Sequence, residues 1–486
     1  MATTHTGGTA ARHRTHHTAP DLHATGVLIL LAGAFLPIMD FFITNVALPS
    51  IDTSLHASPS SLQLVIAGYG VAYAALLVLG GRLGDRYGRH RLFLVALVGF
   101  VLASLACGLA PGVGVLITAR IVQGATAALL VPQVLATFHH ALDGERKARA
   151  LALYGATSGI AAVVGQLVGG LLVGADIAGT SWRPIFLVNV PIGLVVLLVA
   201  ARIVPATRSE HPVGIDLPGT VLFAATLVAL LVPLTEGHAL GWPWWVWLLL
   251  AVAVVLGAAT YGVEKRAERR GEVPLLPPSL LRLPSMSRGL AMVLAFSIGF
   301  GAFMFVFALT VQNGLHADAL HGGLAILPMA LLFFAGSVLA PRLISRFGRA
   351  AMAAGAVVQL AGLAWLVAVL VTSRPQAGLW AMAAPLALAG AGQSMLFAGL
   401  FRSVLADVPA HLGGIGSGVL ITLQQSGLAL GVATLGTLYL ALAPHGIPHA
   451  FAAVEYAQMG IVAALAIGTA ALPRFTRAAD VPVIEG

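Results

Sequence analysis

A carboxylate and a guanidinium lie deep inside apolar stretches of this sequence. Asp40 stands within TGVLILLAGAFLPIMDFFITNVAL, residues 25–48, and Arg120 stands within the apolar run 113–134. A charged side chain near the centre of a membrane-spanning helix costs roughly 2.5–3.5 kcal/mol on insertion scales, so such residues are rare and usually functional. At ~1.5 Å per residue, Asp40 would lie ~12 Å and Arg120 ~10 Å below the same membrane face. This matched depth is compatible with a direct ion pair.

An Asp–Arg pair at this depth can bind and release a proton. Burial disfavours the ionised carboxylate, and a neighbouring guanidinium favours it. A conformational change that moves Arg120 or admits water would shift this balance, so that protonation of Asp40 depends on which side of the membrane is open. The alternative is a static salt bridge that only holds the helices together.

The composition requires a bilayer as solvent. Hydrophobic residues make up 58% of the 486 residues and charged residues 9%, against roughly 25% charged in a soluble domain. The mean hydropathy is +0.94. The net charge of +8 could suggest nucleic acid, but the basic residues fall in short loops between apolar runs, so we interpret them as topology signals and expect no nucleic-acid partner. The single cysteine, Cys107, excludes an intramolecular disulfide, and no metal site is expected.

Apolar runs bounded by charges, prolines and glycine clusters predict an all-α membrane protein with fourteen spans of ~20 residues each. The expected fold class is an all-α integral membrane bundle with two six-helix halves and two inserted central helices, as the repeat described below indicates. The predicted spans are 25–48, 62–81, 92–109, 113–134, 150–173, 184–201, 217–235, 244–261, 289–311, 323–339, 350–371, 379–400, 413–440 and 454–472.

The distribution of basic residues supports this count. An even number of spans places both termini on one side, expected to be the cytoplasm. Of the 26 Lys and Arg residues, 23 then fall in cytoplasmic loops and tails, two (Arg183 and Arg374) fall outside, and Arg120 is intramembrane. A missed span would scramble this inside-positive bias. We therefore expect a multi-pass protein of the plasma (inner) membrane.

A loop motif occurs twice. RLGDRYGR (82–89) recurs as RLISRFGR (342–349), with five of eight positions identical. The copies join spans 2 and 3 and spans 10 and 11, which indicates duplicated six-helix halves with two helices inserted between them. The expected organisation is a tail at 1–24, a first half at 25–201, a linker with helices 7 and 8 at 202–288, a second half at 289–472 and a tail at 473–486.

Several motifs carry a family resemblance. GGRLGDRYGRHRL (80–92), LITARIVQGATAA (116–128), MDFFITNVALP (39–49) and SWRPIFLVNVPIG (181–193) resemble signatures of the fourteen-helix drug:proton antiporter branch of the major facilitator superfamily. The stretch GATSGIAAVVGQLVGG (155–170) resembles that branch's helix-5 signature, with Gln166 where proline is usual. The resemblance covers nearly the whole chain. It places the branch's acidic residue at Asp40 and its helix-4 arginine at Arg120.

The resemblance implies a proton-coupled exporter of small amphipathic or lipophilic organic compounds that works by alternating access, as in drug or antibiotic efflux. The alternative is a proton-coupled uptake symporter or facilitator of the same fold. The expected partners are a small-molecule substrate, protons and the lipid bilayer, and we expect a monomer without a cofactor. The chain has no phosphate-cradling GxxxxGK[ST] and no HExxH, so neither an ATP motor nor a zinc hydrolase is indicated.

Three further groups of residues are candidates for function. The first is a cytoplasmic latch between the halves at the first loop copy, and its alternative is a tight turn with inside-positive charges. The second is a helix-5 seam that seals the cavity, and its alternative is plain helix packing through small-xxx-small spacing. The third is a substrate cavity of embedded polar side chains, and its alternative is interhelical hydrogen bonding. The latch candidates are Gly81, Asp85, Arg86, Gly88 and Arg89. The seam candidates are Gly155, Gly159, Gly165, Gly169 and Gly170. The cavity candidates are Asn45, Gln123, Gln166, Gln424 and Gln425.

Overall fold

The structure is a computed structural model that describes residues 22–207, 214–372, 379–408 and 413–471. The described residues include fourteen helices long and apolar enough to cross a membrane, which confirms the predicted number of spans. The predicted tails lie almost entirely outside the described ranges. The helices are α1 Ala24–Leu55, α2 Pro59–Tyr87, α3 Arg89–Gly108, α4 Val113–Ala141, α5 Gly144–Gly174, α6 Asn189–Ile203, α7 Leu217–Glu236, α8 Trp244–Arg269, α9 Pro284–Leu309, α10 Ala319–Phe347, α11 Arg349–Thr372, α12 Ala383–Val404, α13 Gly413–Gly431 and α14 Ile447–Gly468.

Short segments extend three of these helices. The short helix Pro184–Leu187 precedes α6, and a π-helical turn at Thr310–Gly314 continues α9. A second π-helical turn at Val432–Gly436 and the short helix Thr437–Leu442 continue α13. Several helices exceed the apolar runs that predicted them, because helix geometry continues into polar ends that hydropathy does not mark.

Local sequence sets several helix ends. The Ser58 hydroxyl accepts a hydrogen bond from the Ser61 amide at 3.2 Å, and Pro59 occupies the first turn of α2, where its missing N–H has no cost. Asp216 and Asp318 cap α7 and α10 in the same way. Between α2 and α3 the chain turns at Gly88, whose φ of 100° suits glycine.

The two halves repeat the same helix pairings. In the first half α2 packs on α4, α1 on α5 and α3 on both α4 and α6, and in the second half α10 packs on α12, α9 on α13 and α11 on both α12 and α14. A β-carbon at Gly124 would lie 2.2 Å from the Tyr69 carbonyl oxygen, and one at Gly390 would lie 2.2 Å from the Met329 carbonyl oxygen. The close approach of α4 to α2 is therefore repeated by α12 and α10, which agrees with duplication.

The halves meet along two helix pairs, α2 with α13 and α5 with α10. Hydrogen bonds join them at the ends opposite the arginine-rich loops: Gln63 Nε2 donates to the Val432 carbonyl at 3.0 Å, and Gln312 Nε2 donates to the Val46 carbonyl at 2.8 Å. At the same side, a β-carbon on Gly170 would lie 2.8 Å from the carbonyl oxygen of Ala319. The halves are thus in close contact on this side of the membrane.

The inserted helices lie at the periphery. α7 packs on α8 and on α2, whereas much of α8 is exposed on the outside of the bundle. Trp244 and Trp247, at the start of α8, are 75% and 59% exposed. Amphipathic indole rings favour the membrane–water interface, so these side chains fit a lipid-facing helix end.

Candidate functional site

Asp40 lies at the centre of a polar network inside the first half. It is fully buried on α1, and Arg120 on α4, also fully buried, donates from Nη1 to its Oδ2. Gln123 Nε2 and Asn189 Nδ2 donate to Asp40 Oδ1 at 2.8 and 2.7 Å. The Ser104 hydroxyl on α3 accepts from Gln123 at 2.7 Å. Helices α1, α3, α4 and α6 thus converge on one carboxylate.

The sequence of α4 positions the cation. Arg120 and Gln123 are three residues apart and share a helix face, and Arg120 Nη1 also donates to Gln123 Oε1 at 2.7 Å. Arg120 Nε donates to the Val65 carbonyl at 3.1 Å, and its guanidinium lies 4.3 Å from the centroid of the Tyr69 ring. Gly124 admits the backbone of α2 at this level. Arg120 is therefore fixed from both α2 and α4.

This arrangement suits reversible proton binding. Three donors stabilise the ionised form of Asp40, while complete burial disfavours it. Breaking a buried ion pair by removing one partner typically costs ~3–5 kcal/mol, so a movement that separates Arg120 from Asp40 would strongly favour protonation. The predicted pair is present, and its role in proton coupling remains a prediction.

The cavity candidates do not form one site. Gln123 belongs to the Asp40 network and is fully buried, so its assignment to a substrate cavity needs correction: its amide is engaged within the first half. Asn45 is also buried, and its Nδ2 donates to the Phe41 carbonyl of its own helix at 3.0 Å. Gln424 and Gln425 are half-buried on α13.

Gln166 lies where the halves meet. It lines a small crevice together with Val46, Met304, Phe307 and Gln312. These residues come from α1, α5 and the end of α9, so the crevice spans both halves just beneath the closed side. The described lining is apolar apart from two amides, as expected for a site that takes amphipathic molecules. Gln166 is the one cavity candidate that lines this crevice, and its contact with a substrate remains a prediction.

The helix-5 glycines face different neighbours. A β-carbon at Gly165 would lie 2.7 Å from the Met39 carbonyl oxygen, and one at Gly169 would lie 2.9 Å from the Ile43 side chain. These two glycines pack α5 against α1 within the first half, one turn from Asp40.

The remaining glycines face the second half or open space. Gly170 abuts the backbone of α10 at Ala319, and a β-carbon at Gly159 would lie 2.9 Å from the Phe334 ring. Gly155 is exposed, with nothing within 4 Å of its β-carbon position. Gly155 therefore makes no close helix contact in this structure, because the four-residue spacing does not specify which helix face is covered. The role of these glycines as a seam that seals the cavity remains a prediction.

The loop after α2 contains a local ion pair. Arg89 donates from Nη2 and Nε to Asp85 Oδ1 at 2.7 and 3.1 Å. The Arg86 guanidinium lies 5.7 Å from the centroid of its neighbour Tyr87, and a β-carbon on Gly81 would lie 3.9 Å from Pro132. These contacts stay within the first half. A latch that joins the two halves through Asp85 remains a prediction.

The loop motif contacts the linker at two residues, and the sequence pattern indicated neither contact. The Arg89 backbone N–H donates to the Thr207 carbonyl at 2.9 Å, and the Arg82 side chain reaches further along the linker. Arg82 is 6% exposed and donates to the Gly214 carbonyl at 3.1 Å and to the Pro274 carbonyl at 2.5 Å. Asp216 and Glu264 accept the amides of the two residues that follow Pro274, at 2.9 and 3.0 Å. The inserted helices are thus attached to the loop motif through a buried polar cluster.

The family model described as Major Facilitator Superfamily matches residues 30–432. The chain belongs to this superfamily. It is 37% identical, over 85% of its length, to a protein of Streptomyces coelicolor named probable actinorhodin transporter, and the match covers 72% of that relative. It is 35% identical, over 92% of its length, to the puromycin resistance protein of Streptomyces alboniger, and the match covers 88% of that relative. It is 36% identical over 87% of its length to a cephamycin export protein of Amycolatopsis lactamdurans, covering 87%.

Solved structures agree on the fold. The xylose transporter of E. coli, in a partially occluded inward-open conformation, aligns with a TM-score of 0.60 at 13% identity, covering 91% of this chain and 97% of that one. A peptide-transporter-family structure in complex with 5-aminolevulinic acid aligns with a TM-score of 0.66 at 13% identity, covering 93% and 98%. This superfamily member is a multi-pass membrane transporter of small molecules and not an enzyme, as predicted.

Proposed function

We propose that this transporter exports small amphipathic organic compounds in exchange for protons, and that Asp40 carries a coupling proton. The observation that carries the proposal is the buried Asp40 carboxylate, held by donors from α4 and α6 in a half that must move for transport. The printed names of the relatives, which include an export protein and a resistance protein, favour export and the compound class.

In the proposed cycle the substrate enters from the cytoplasm while the opposite side is closed by the contacts of Gln312 and Gly170. Both termini and the arginine-rich loops are then cytoplasmic, in the plasma membrane. The halves, expected at 25–201 and 289–472, rock about the crevice beside Gln166. The segment 202–288 connects them.

Protonation of Asp40 would release Arg120 from its ion pair and change how α1 and α4 pack. A proton that binds Asp40 from the acidic side and leaves it on the cytoplasmic side would link this change to the direction of transport. Each entering proton supplies ~2.3 kcal/mol per 100 mV, enough for about a fifty-fold substrate gradient if one net charge moves.

The test is reconstitution with a compound found by screening an efflux-deficient host for resistance. Wild-type protein in liposomes should concentrate that compound when given a pH difference. Asp40→Asn should bind it but not concentrate it. The matched control is Asp52→Asn, the same chemical change on the same helix but outside the network. Gradient-driven accumulation by Asp40→Asn would refute the role of Asp40.

The alternative, proton-coupled uptake or facilitated diffusion, is separated by direction. Inverted membrane vesicles with an acidic lumen should accumulate the compound if the protein exports it. An uptake symporter would instead empty such vesicles, and a facilitator would ignore the pH difference.

A further inference from the structure

A second acidic residue lies buried in the membrane, in the other half of the protein. Glu455 is on α14, eight residues after its start at Ile447 and therefore ~12 Å along the helix. It is fully buried, and neither carboxyl oxygen has a hydrogen-bond partner among the described residues. The apolar run that predicts the last span begins at residue 454, so Glu455 stands at its edge and hydropathy does not mark it as buried.

The internal repeat relates Glu455 to the Asp40 site. An offset of 266 residues carries Gly124 to Gly390, the two glycines that make matching backbone contacts. The last helices correspond as well, because α6 packs on α3 and α14 packs on α11. Asn189 on α6 donates directly to Asp40 in the first half. Glu455 thus lies on the helix of the second half that corresponds to the one supplying Asn189.

The polar content of the second half differs from that of the first. Gln458 on α14, Gln359 on α11, Gln393 on α12 and Ser297 on α9 are buried, and each has at least one side-chain atom without a partner. These four helices are the counterparts of those that build the Asp40 site. The offset that carries Gly124 to Gly390 carries Arg120 to Leu386, so α12 has no counterpart of the arginine.

Among the residues that the structure describes, no charged group of the neighbouring elements pairs with Glu455. Arg349 on α11 donates to the Ala470 carbonyl, fifteen residues beyond Glu455 and so ~22 Å away along the helix. Arg288, near the start of α9, is eleven residues from Gly299, which contacts the Gln458 side chain. That separation is ~16 Å along α9.

The other titratable groups nearby are equally unsuited to pair with Glu455. His445, in the short turn before α14, and His449 and Tyr456 on α14 itself are exposed. Tyr439 accepts a hydrogen bond from the Thr310 hydroxyl at 3.1 Å. An unpaired carboxylate in such surroundings would cost several kcal/mol, and a buried acid avoids that cost by taking up a proton.

We propose that Glu455 is a second proton-binding site of this transporter, located in the second half and occupied by a proton in the conformation described here. The carboxylic acid loses its O–H proton to water when the half rearranges. Gln458, three residues along the same face of α14, has the amide best placed to turn its N–H towards the carboxylate that remains. Its role in coupling rests on the proposed function, whereas its protonation state does not.

Protonation is measured first, without any substrate. Infrared difference spectra of purified wild-type and Glu455→Gln protein in lipid nanodiscs at neutral pH should show a carboxylic-acid C=O band present only in the wild type. Glu272→Gln, the same change at an exposed linker residue, should leave that band in place. Absence of the band in the wild type would overturn the proposal.

Coupling is measured with ethidium, a monovalent amphipathic cation, in proteoliposomes whose membrane potential is clamped with valinomycin. If two protons exchange for one cation, wild-type transport moves one net charge and responds to the potential. Glu455→Gln should retain transport driven by the pH difference but lose its response to the potential. An unchanged response would overturn a coupling role for Glu455. If the wild type moves no ethidium, the proposed function is contradicted for this probe while the infrared result still stands.

The substitution Glu455→Leu guards against misfolding of the amide variant. A neutral acid without hydrogen bonds contributes no polar interaction to lose, so Glu455→Leu should keep the thermal midpoint of the wild type. A marked loss of thermal stability in Glu455→Leu would mean that the carboxyl is ionised and held by partners, and would count against the proposal.

Discussion

The substitution Asn189→Leu tests how the protein sets the proton affinity of Asp40. Asn189 Nδ2 donates to Asp40 Oδ1 at 2.7 Å and comes from α6, so it can be removed without touching the ion pair with Arg120. A hydrogen bond to a charged group is worth ~1.5–3 kcal/mol. Loss of this hydrogen bond destabilises the ionised carboxylate of Asp40 and not the protonated form. A protonated carboxyl group donates its own O–H to one acceptor and needs fewer hydrogen-bond donors around it.

The expected effect follows from this difference. At ~1.36 kcal/mol for each tenfold change, Asn189→Leu should tighten proton binding at Asp40 by about 10- to 150-fold. A proton that is held more tightly is released only at higher pH on the cytoplasmic side. The pH at which transport is half-maximal should therefore rise by roughly one to two pH units.

The assay is initial transport rate in proteoliposomes against the pH of the releasing side, using the resistance compound from the growth screen. Asn45→Leu is the matched control, since Asn45 is also buried but donates to the Phe41 carbonyl and not to Asp40. It should leave the pH profile in place. An unshifted profile in Asn189→Leu, or an equal shift in both variants, would refute the reasoning.

Three other outcomes are expected. A cysteine introduced at His238, in the exposed turn after α7, should react with a membrane-impermeant maleimide in intact cells. Background labelling should be low because the native Cys107 is buried. Labelling only after lysis would show that this turn faces the cytoplasm and that the proposed topology is wrong. Asp85→Asn should slow transport while leaving substrate affinity within a few-fold, and a large affinity loss at normal exchange rate would contradict this. Gly165→Ala, which forces a methyl group to 2.7 Å from backbone, should lower the thermal midpoint and transport, whereas Gly155→Ala should be neutral or slightly stabilising; equal effects would contradict the packing argument.

The Asp40–Arg120 contact could be predicted because depth is a one-dimensional quantity. Rise per residue and alternating helix direction place two residues at one level without any knowledge of helix rotation. Gln123 required rotation as well. Its spacing of three from Arg120 puts both on one face of α4, and this was the available signal that it joins the ion pair and does not line a cavity.

Glycine spacing carried less information than expected. Gly155 and Gly165 both begin a four-residue glycine pair, yet one faces open space and the other the backbone of α1. The pattern indicates that a close approach is permitted, and the neighbour that makes the approach is set by tertiary packing. Glu455 was missed for another reason: hydropathy marks where a run becomes apolar, while the helix begins earlier, at Ile447, after Gly446 ends the preceding turn.

The two halves share their backbone packing but differ in the buried polar residues that could bind protons. The close contacts of Gly124 and Gly390 are the same to 0.1 Å, so duplication has kept the backbone packing that lets each half move as a unit. The polar centres differ: the offset that carries Gly124 to Gly390 also replaces Arg120 with Leu386. An acid paired with arginine can stay ionised when buried, whereas an acid without one must bind a proton. Two such sites on opposite sides of the cavity would therefore hold different protonation states in the same conformation, which gives the rocking motion a direction that two identical halves would lack.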